Sequence, residues 1–186
     1  MSPSVSRALN TVGLIAIGAV LLIAFVDQLS LHDLPCPLCL LQRAGFVGAG
    51  FGLALNMRFG PRPSHYALTL FSAIAGASVS VRQTLLHIVP GTGTYGQAIL
   101  GMHFYAWAFV LFVLIIVGTA AMLLFDRQFT NHHNGTPTLS RAAAIVIVFF
   151  GLLVLGNAVS TGLECGGGLC PDNPVSYQLL SHELYS

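Results

Sequence analysis

The chain has 186 residues, of which 55% are hydrophobic and 7% are charged, and its mean hydropathy is +0.80. A soluble domain carries about 25% charged residues, so this composition excludes an ordinary water-exposed surface and predicts that lipid surrounds most of the chain. The formal net charge of +1 gives no reason to expect a nucleic-acid partner.

Long apolar runs predict transmembrane helices, because about 20 residues are needed to cross a bilayer. The expected helices lie at about 8–29, 40–58, 66–87, 103–125 and 141–163. Short loops join them, so we expect residues 1–186 to form a single all-α membrane domain.

The arginines predict the orientation of these helices. If the helices alternate in direction, five arginines share one side: Arg7, Arg58, Arg62, Arg127 and Arg141. By the positive-inside rule that side is the cytoplasm, which places the N-terminus inside and the C-terminus outside. The outer side then receives segments 30–39, 88–102 and 164–186. It carries four acidic residues: Asp33, Glu164, Asp172 and Glu183.

Four cysteines form two pairs, and the predicted orientation puts both pairs on the outer side. In a bacterium this compartment, the periplasm, is oxidising, so disulfides persist there. Cys36 and Cys39 open the second helix, where the helix dipole stabilises a thiolate and makes a disulfide exchangeable. Cys165 and Cys170 enclose three glycines and a leucine, which predicts a mobile loop that exchanges with a partner. A static disulfide is the alternative for this second pair.

Two arginines lie inside predicted helices near their outer ends, Arg43 and Arg82. A charge within a membrane helix costs about 2.5–3.5 kcal/mol, so each is a candidate site residue; snorkelling to the headgroups is the alternative. Arg43 lies four residues after Cys39 and shares its helix face, from which it could stabilise a thiolate or an anionic electron acceptor. His87, at the same outer level, could hydrogen-bond or shuttle a proton, or could simply be solvated.

These motifs resemble those of the DsbB-type disulfide-forming membrane proteins. The segment Cys-Pro-Leu-Cys-Leu-Leu-Gln-Arg, from Cys36 to Arg43, looks like the family signature after a first transmembrane helix. Arg82-Gln83 with His87 is a second match, and the segment 101–107, Gly-Met-His-Phe-Tyr-Ala-Trp, is a third. The resemblance extends over roughly residues 10–125.

The resemblance implies a four-helix bundle that binds a quinone, ubiquinone or menaquinone, near the outer end of the second helix. Cys39 would face the quinone and Cys36 would exchange with the second pair. The quinone-binding residues carried over from the family are Arg43, Arg82 and His87. The fifth helix departs from the family pattern, and so does the second cysteine pair, which the family carries between helices three and four.

We therefore predict a quinone-dependent dithiol oxidase of the bacterial inner membrane. It would reoxidise a periplasmic DsbA-like thioredoxin-fold protein through Cys165 and Cys170, then Cys36 and Cys39, with no metal. One alternative is an outward-directed thiol reductase, which would require a cysteine within or behind the membrane. The other is a non-enzymatic membrane protein that binds a metal through all four cysteines.

Overall fold

The computed structural model describes residues 1–31, 34–88, 98, 100–129 and 139–183. Five long helices follow one another along the chain: α1 (Pro3–Leu31), α2 (Pro37–Phe59), α3 (Pro63–His87), α4 (Phe104–Leu123) and α5 (Arg141–Cys165). A 3₁₀ turn, Asp126–Gln128, follows α4, and a short helix α6, Gln178–Glu183, follows α5. All five long helices are long and apolar enough to cross a membrane. The predicted all-α membrane bundle is thereby confirmed.

The helix boundaries follow from local sequence signals. Pro37 and Pro63 stand at the first turns of α2 and α3, where the missing N–H is not needed. Helix α5 begins after Ser140, whose hydroxyl accepts a hydrogen bond from the Ala143 N–H at 3.2 Å. It ends at Gly166, which adopts the left-handed conformation with φ 61° that a glycine tolerates best.

The helices pack side by side in the order α5, α1, α2, α3, α4. Helices α2, α3 and α4 approach closely through small residues. A Cβ atom on Gly45 would lie 2.9 Å from the Cα of Gly76, and one on Gly76 would collide with the ring of Phe112. Phe112 stacks on Phe46 with ring centroids 4.0 Å apart. On the other side of α2, a groove remains between α1 and α4.

Side-chain contacts identify the helix ends that lie together. The Gln28 amide near the end of α1 donates to the Ser160 hydroxyl near the end of α5, at 2.8 Å. The Gln83 amide near the end of α3 contacts the Cys36 sulfur at the start of α2. Both cysteine pairs therefore lie at the same end of the bundle, which we call the cysteine end. The side of the membrane that it faces stays a prediction.

A second buried polar cluster lies at the opposite end. The Tyr66 hydroxyl donates to the Gln128 carbonyl at 3.1 Å and accepts from the Asn10 amide at 2.9 Å. The Asn56 amide donates to Asn10 at 3.0 Å, and Ser6 donates to Gln128 at 2.8 Å. This cluster, which we call the opposite-end cluster, joins α1, α2, α3 and the 3₁₀ turn.

Some predicted features lie outside the described residues. They include Asp33, the side chain of Glu183 and most of the predicted outer segment 88–102. The loop between α4 and α5 is likewise described only at its two ends.

Candidate redox site

The four cysteines form two disulfides, Cys36–Cys39 and Cys165–Cys170, with Cα–Cα distances of 5.0 and 4.4 Å. No cysteine is free. A four-cysteine metal site needs all four sulfurs as thiolates around one ion, whereas here they are paired within two separate segments.

The first disulfide begins α2. Cys36 is the residue that caps the helix, and its sulfur accepts a hydrogen bond from the Cys39 N–H at 3.1 Å. Cys36 is buried and Cys39 is half-buried. The unpaired N–H groups of a first helical turn favour negative charge, so a thiolate released at this position is stabilised.

Gln83 of α3 holds the first disulfide from the side. It is fully buried, and its Nε2 atom lies 3.3 Å from the Cys36 sulfur and 3.5 Å from the Cys39 sulfur. Its Oε1 atom accepts from Gln42 Nε2 at 2.7 Å, which fixes the orientation of the amide. A glutamine in each of two apolar helices, Gln42 and Gln83, was a sequence signal for this contact. The prediction from the sequence named the neighbouring Arg82 instead.

Arg43 is held by residues of α1 and α5. Its Nη1 atom donates to Gln28 Oε1 at 2.7 Å and to Asn157 Oδ1 at 3.2 Å, and its Nη2 atom donates to the Ala24 carbonyl at 2.9 Å. Three neutral acceptors thus fix the half-buried guanidinium one helical turn beyond Cys39. Charge-assisted hydrogen bonds of this kind are stronger than neutral ones.

The same network reaches the segment that follows the second disulfide. The Gln28 Nε2 atom, which donates to Ser160, also donates to the Tyr177 hydroxyl at 3.1 Å. Tyr177 precedes α6, which packs on α5. The chain beyond α5 therefore folds back onto the bundle, with Tyr177 as one of its anchors.

A cavity of about 310 Å³ lies in the groove between α1 and α4, beside the first disulfide. Its polar lining includes Cys39, Arg43 and Asp27, and its walls include the rings of Phe104 and Trp107. A second apolar cavity of about 550 Å³ continues along the groove and shares three lining residues with the first: Val20, Phe46 and Leu111. Mostly apolar clefts of this size with a few polar groups are typical small-molecule sites.

The predicted site residues are only partly brought together. Cys36, Cys39 and Arg43 line the cavity. Arg82 is exposed and does not line it. His87 lies behind the wall: its ring stacks on Tyr105, a lining residue, with centroids 5.5 Å apart, and its Nδ1 atom is 2.8 Å from the Gln83 carbonyl oxygen.

The first half of the chain is similar to known proteins. The family described as disulfide bond formation protein DsbB matches residues 6–94. Two curated relatives are named disulfide bond formation protein B: that of Marinobacter nauticus is 43% identical and that of an Azoarcus species 37%, each over 60 residues. Residues 6–94 are thus similar to the DsbB family.

The match is confined to part of each protein. Each aligned stretch covers 30% of this chain and 36% of the relative, so the chain spans about a third of the length of the curated relatives it matches. No solved structure matches the chain.

The matched segment contains the first disulfide, Gln83, which hydrogen-bonds to its sulfurs, and Gln28, which accepts from Arg43. Asn157, another acceptor of Arg43, lies in α5 beyond the match. The second disulfide lies beyond the match. Cys165 is buried in the last turn of α5 and Cys170 is half-buried, next to Leu169, which is 96% exposed. The site thus combines a segment that is similar to the DsbB family with a fifth helix and tail that the family match does not include.

Proposed function

We propose that this protein is a membrane dithiol oxidase that passes electrons from a soluble protein dithiol, through its two disulfides, to a membrane quinone. The observation that carries the proposal is the first disulfide, which borders an apolar cavity together with Arg43. The similarity of residues 6–94 to the DsbB family supports disulfide formation as the overall activity.

The cavity suits a quinone on three counts. Its walls are mainly apolar and aromatic, which matches a quinone ring and its hydrocarbon tail. It lies in a groove between membrane helices, so a lipid-soluble molecule could enter from the bilayer. The guanidinium of Arg43 supplies a cation and hydrogen-bond donors for a quinone oxygen. A quinone bound there would accept two electrons and two protons and leave as quinol.

The residues around the first disulfide have complementary roles in this proposal. Both cysteines line the cavity, and Cys39 is the less buried residue, so its sulfur is the one that would face the acceptor. Arg43 and the start of α2 would stabilise a thiolate on Cys39. Gln83 would hold both sulfurs in a fixed position. His87 stays a predicted neighbour of the site, acting through Tyr105.

The second disulfide would receive electrons from the soluble partner. Cys170 is half-buried and follows the exposed Leu169, so an incoming thiolate can reach it more readily than the buried Cys165. Attack on this disulfide releases two thiols here and oxidises the partner. The thiols would then reduce Cys36–Cys39 and become a disulfide again. We propose that the partner is a DsbA-like thioredoxin-fold protein.

The proposed location is the inner membrane of a bacterium, with the cysteine end in the periplasm and the N-terminus in the cytoplasm. The arginine distribution supports this orientation. An outward thiol reductase is less well supported, because all four cysteines lie at the same end of the bundle and none could carry electrons across it.

Spectroscopic measurement of quinone reduction tests the proposal. Purified protein in detergent would be mixed with ubiquinone or menaquinone and a reduced thioredoxin-fold dithiol. We expect quinone reduction by the wild type and by S78A, a control at an exposed serine of α3, and none by C39S. Wild-type rates in C39S would contradict the proposed electron path, since Cys39 is its last sulfur before the acceptor.

A further inference from the structure

Helix α5, which is mostly apolar, has a stripe of buried polar residues along one face. Asn157, Ser160 and Glu164 are all buried, and their spacings of three and four residues place them on one helix face. Polar groups at membrane depth are expensive and are kept where they have partners or a function. Asn157 and Ser160 have partners, namely Arg43 and Gln28.

Glu164 differs from the other two. It is 0% exposed, and neither carboxylate oxygen has a hydrogen-bond partner among the described residues. It nevertheless interacts electrostatically with Arg43, as do Asp27 of α1 and Tyr177 of the tail. Glu164 therefore acts on the arginine beside the first disulfide without a direct hydrogen bond among the described residues.

The place of Glu164 in the chain adds a second link. It directly precedes Cys165, so a residue that acts on the arginine beside the first disulfide is adjacent in sequence to the second disulfide. Glu164 lies in α5, outside the segment that matches the DsbB family.

We propose that Glu164 is a positioning residue that acts through Arg43 and sets how easily the Cys36–Cys39 disulfide is reduced. Its negative charge attracts the Arg43 guanidinium toward α5 and away from a Cys39 thiolate, so that Arg43 stabilises the thiolate less. A more stabilised thiolate makes a disulfide a stronger oxidant, so Glu164 restrains the oxidising strength of the first pair. This inference rests on the proposed role of Cys36–Cys39 as the acceptor-side pair.

Equilibration with dithiothreitol tests the inference without any quinone or partner protein. The background is a variant with Cys165 and Cys170 both changed to serine, so that only Cys36–Cys39 is reduced while dithiothreitol becomes a cyclic disulfide. At about pH 8, E164Q should raise the equilibrium constant for reduction about tenfold, as expected for removal of one nearby unit charge. E164D should stay close to the background, as should D126N, a control at an exposed aspartate of the opposite end.

A double-mutant cycle distinguishes action through Arg43 from a general effect on structure. In an R43Q background, E164Q should no longer change the equilibrium constant. An equal rise in both backgrounds, no change in either, or a fall in E164Q would overturn the inference. If R43Q does not fold, the comparison of E164Q with E164D decides by itself: the inference requires a rise in E164Q that is absent in E164D, whereas a structural role predicts no gain in oxidising strength. If the wild-type protein did not reduce quinone, the proposed function would be contradicted. The dithiothreitol equilibrium would still test the role of Glu164, because it involves no quinone.

Discussion

The two ends of the bundle bury polar side chains in different ways. The opposite-end cluster consists of neutral side chains that hydrogen-bond to one another: Ser6, Asn10, Asn56, Tyr66 and Gln128. The cysteine end contains charged residues, and it holds the three buried side-chain atoms of the described residues that lack a partner. Those atoms are His103 Nδ1 and both carboxylate oxygens of Glu164.

The difference separates structural from chemical uses of polarity inside a membrane. Each neutral amide or hydroxyl of the opposite-end cluster gains a hydrogen bond that the lipid cannot offer, so the cluster can stabilise the helix contacts. Unbonded charge has no such benefit, because its burial costs free energy unless it is compensated. The position of Glu164 next to Cys165 therefore supports the proposed chemical role of the cysteine end.

Neutralising one arginine at each end should give the largest difference between the two ends. In R43Q, we expect kcat/KM for quinone to fall about 100-fold, because one charged group and its hydrogen bonds to the acceptor are lost. R58Q makes the same change at an exposed position of the opposite end, where Arg58 lies over the Phe59 ring, and should behave as wild type. The measurement is steady-state quinone reduction. Equal losses in the two variants would mean that position within the bundle does not matter.

Removing one asparagine amide from each end should separate stability from activity. Asn56 donates to Asn10, and its carbonyl oxygen accepts from the Arg62 backbone N–H at 3.1 Å. N56A leaves both groups without this partner, so the free energy of unfolding should fall by about 2 kcal/mol, while turnover of the folded protein stays unchanged. The loss of unfolding free energy would be measured by unfolding each protein in a denaturing detergent and monitoring its helix content.

N157A is the matched change at the cysteine end. Arg43 would keep Gln28 and the Ala24 carbonyl as acceptors, so the arginine stays in place with more freedom. We expect KM for quinone to rise about threefold, with a smaller loss of stability than in N56A. The reverse pattern, a stability loss at the cysteine end and a kinetic loss at the opposite end, would contradict the division of roles.

The sequence was sufficient for features that depend on one helix at a time. Apolar runs predicted the five helices, and the spacing of Cys39 and Arg43 predicted a shared face. Contacts between helices also depend on how each helix is rotated about its axis. The sequence of α5 does not reveal its rotation, because apolar residues lie on almost all of its faces. Asn157 and Glu164 could have been found from their spacing with Ser160, but only the structure shows that this stripe meets Arg43.

Neighbouring residues on α3 illustrate the same limit and give the smallest expected effect. The resemblance assigned a quinone contact to Arg82, yet Arg82 is exposed, whereas Gln83 is buried against both sulfurs of the first disulfide. Successive residues of a helix point about 100° apart, so only one of the two can face α2. We expect Q83L to lower the rate of quinone reduction about tenfold, because the disulfide loses its lateral hydrogen bonds.

R82Q should change the same rate less than about twofold, the size of a typical exposed substitution. Both variants would be measured with saturating dithiol, so that only the acceptor half of the reaction limits the rate. A tenfold loss in R82Q with wild-type behaviour in Q83L would restore the assignment made from resemblance. It would also mean that α3 is rotated by about one residue relative to the disulfide when the protein turns over.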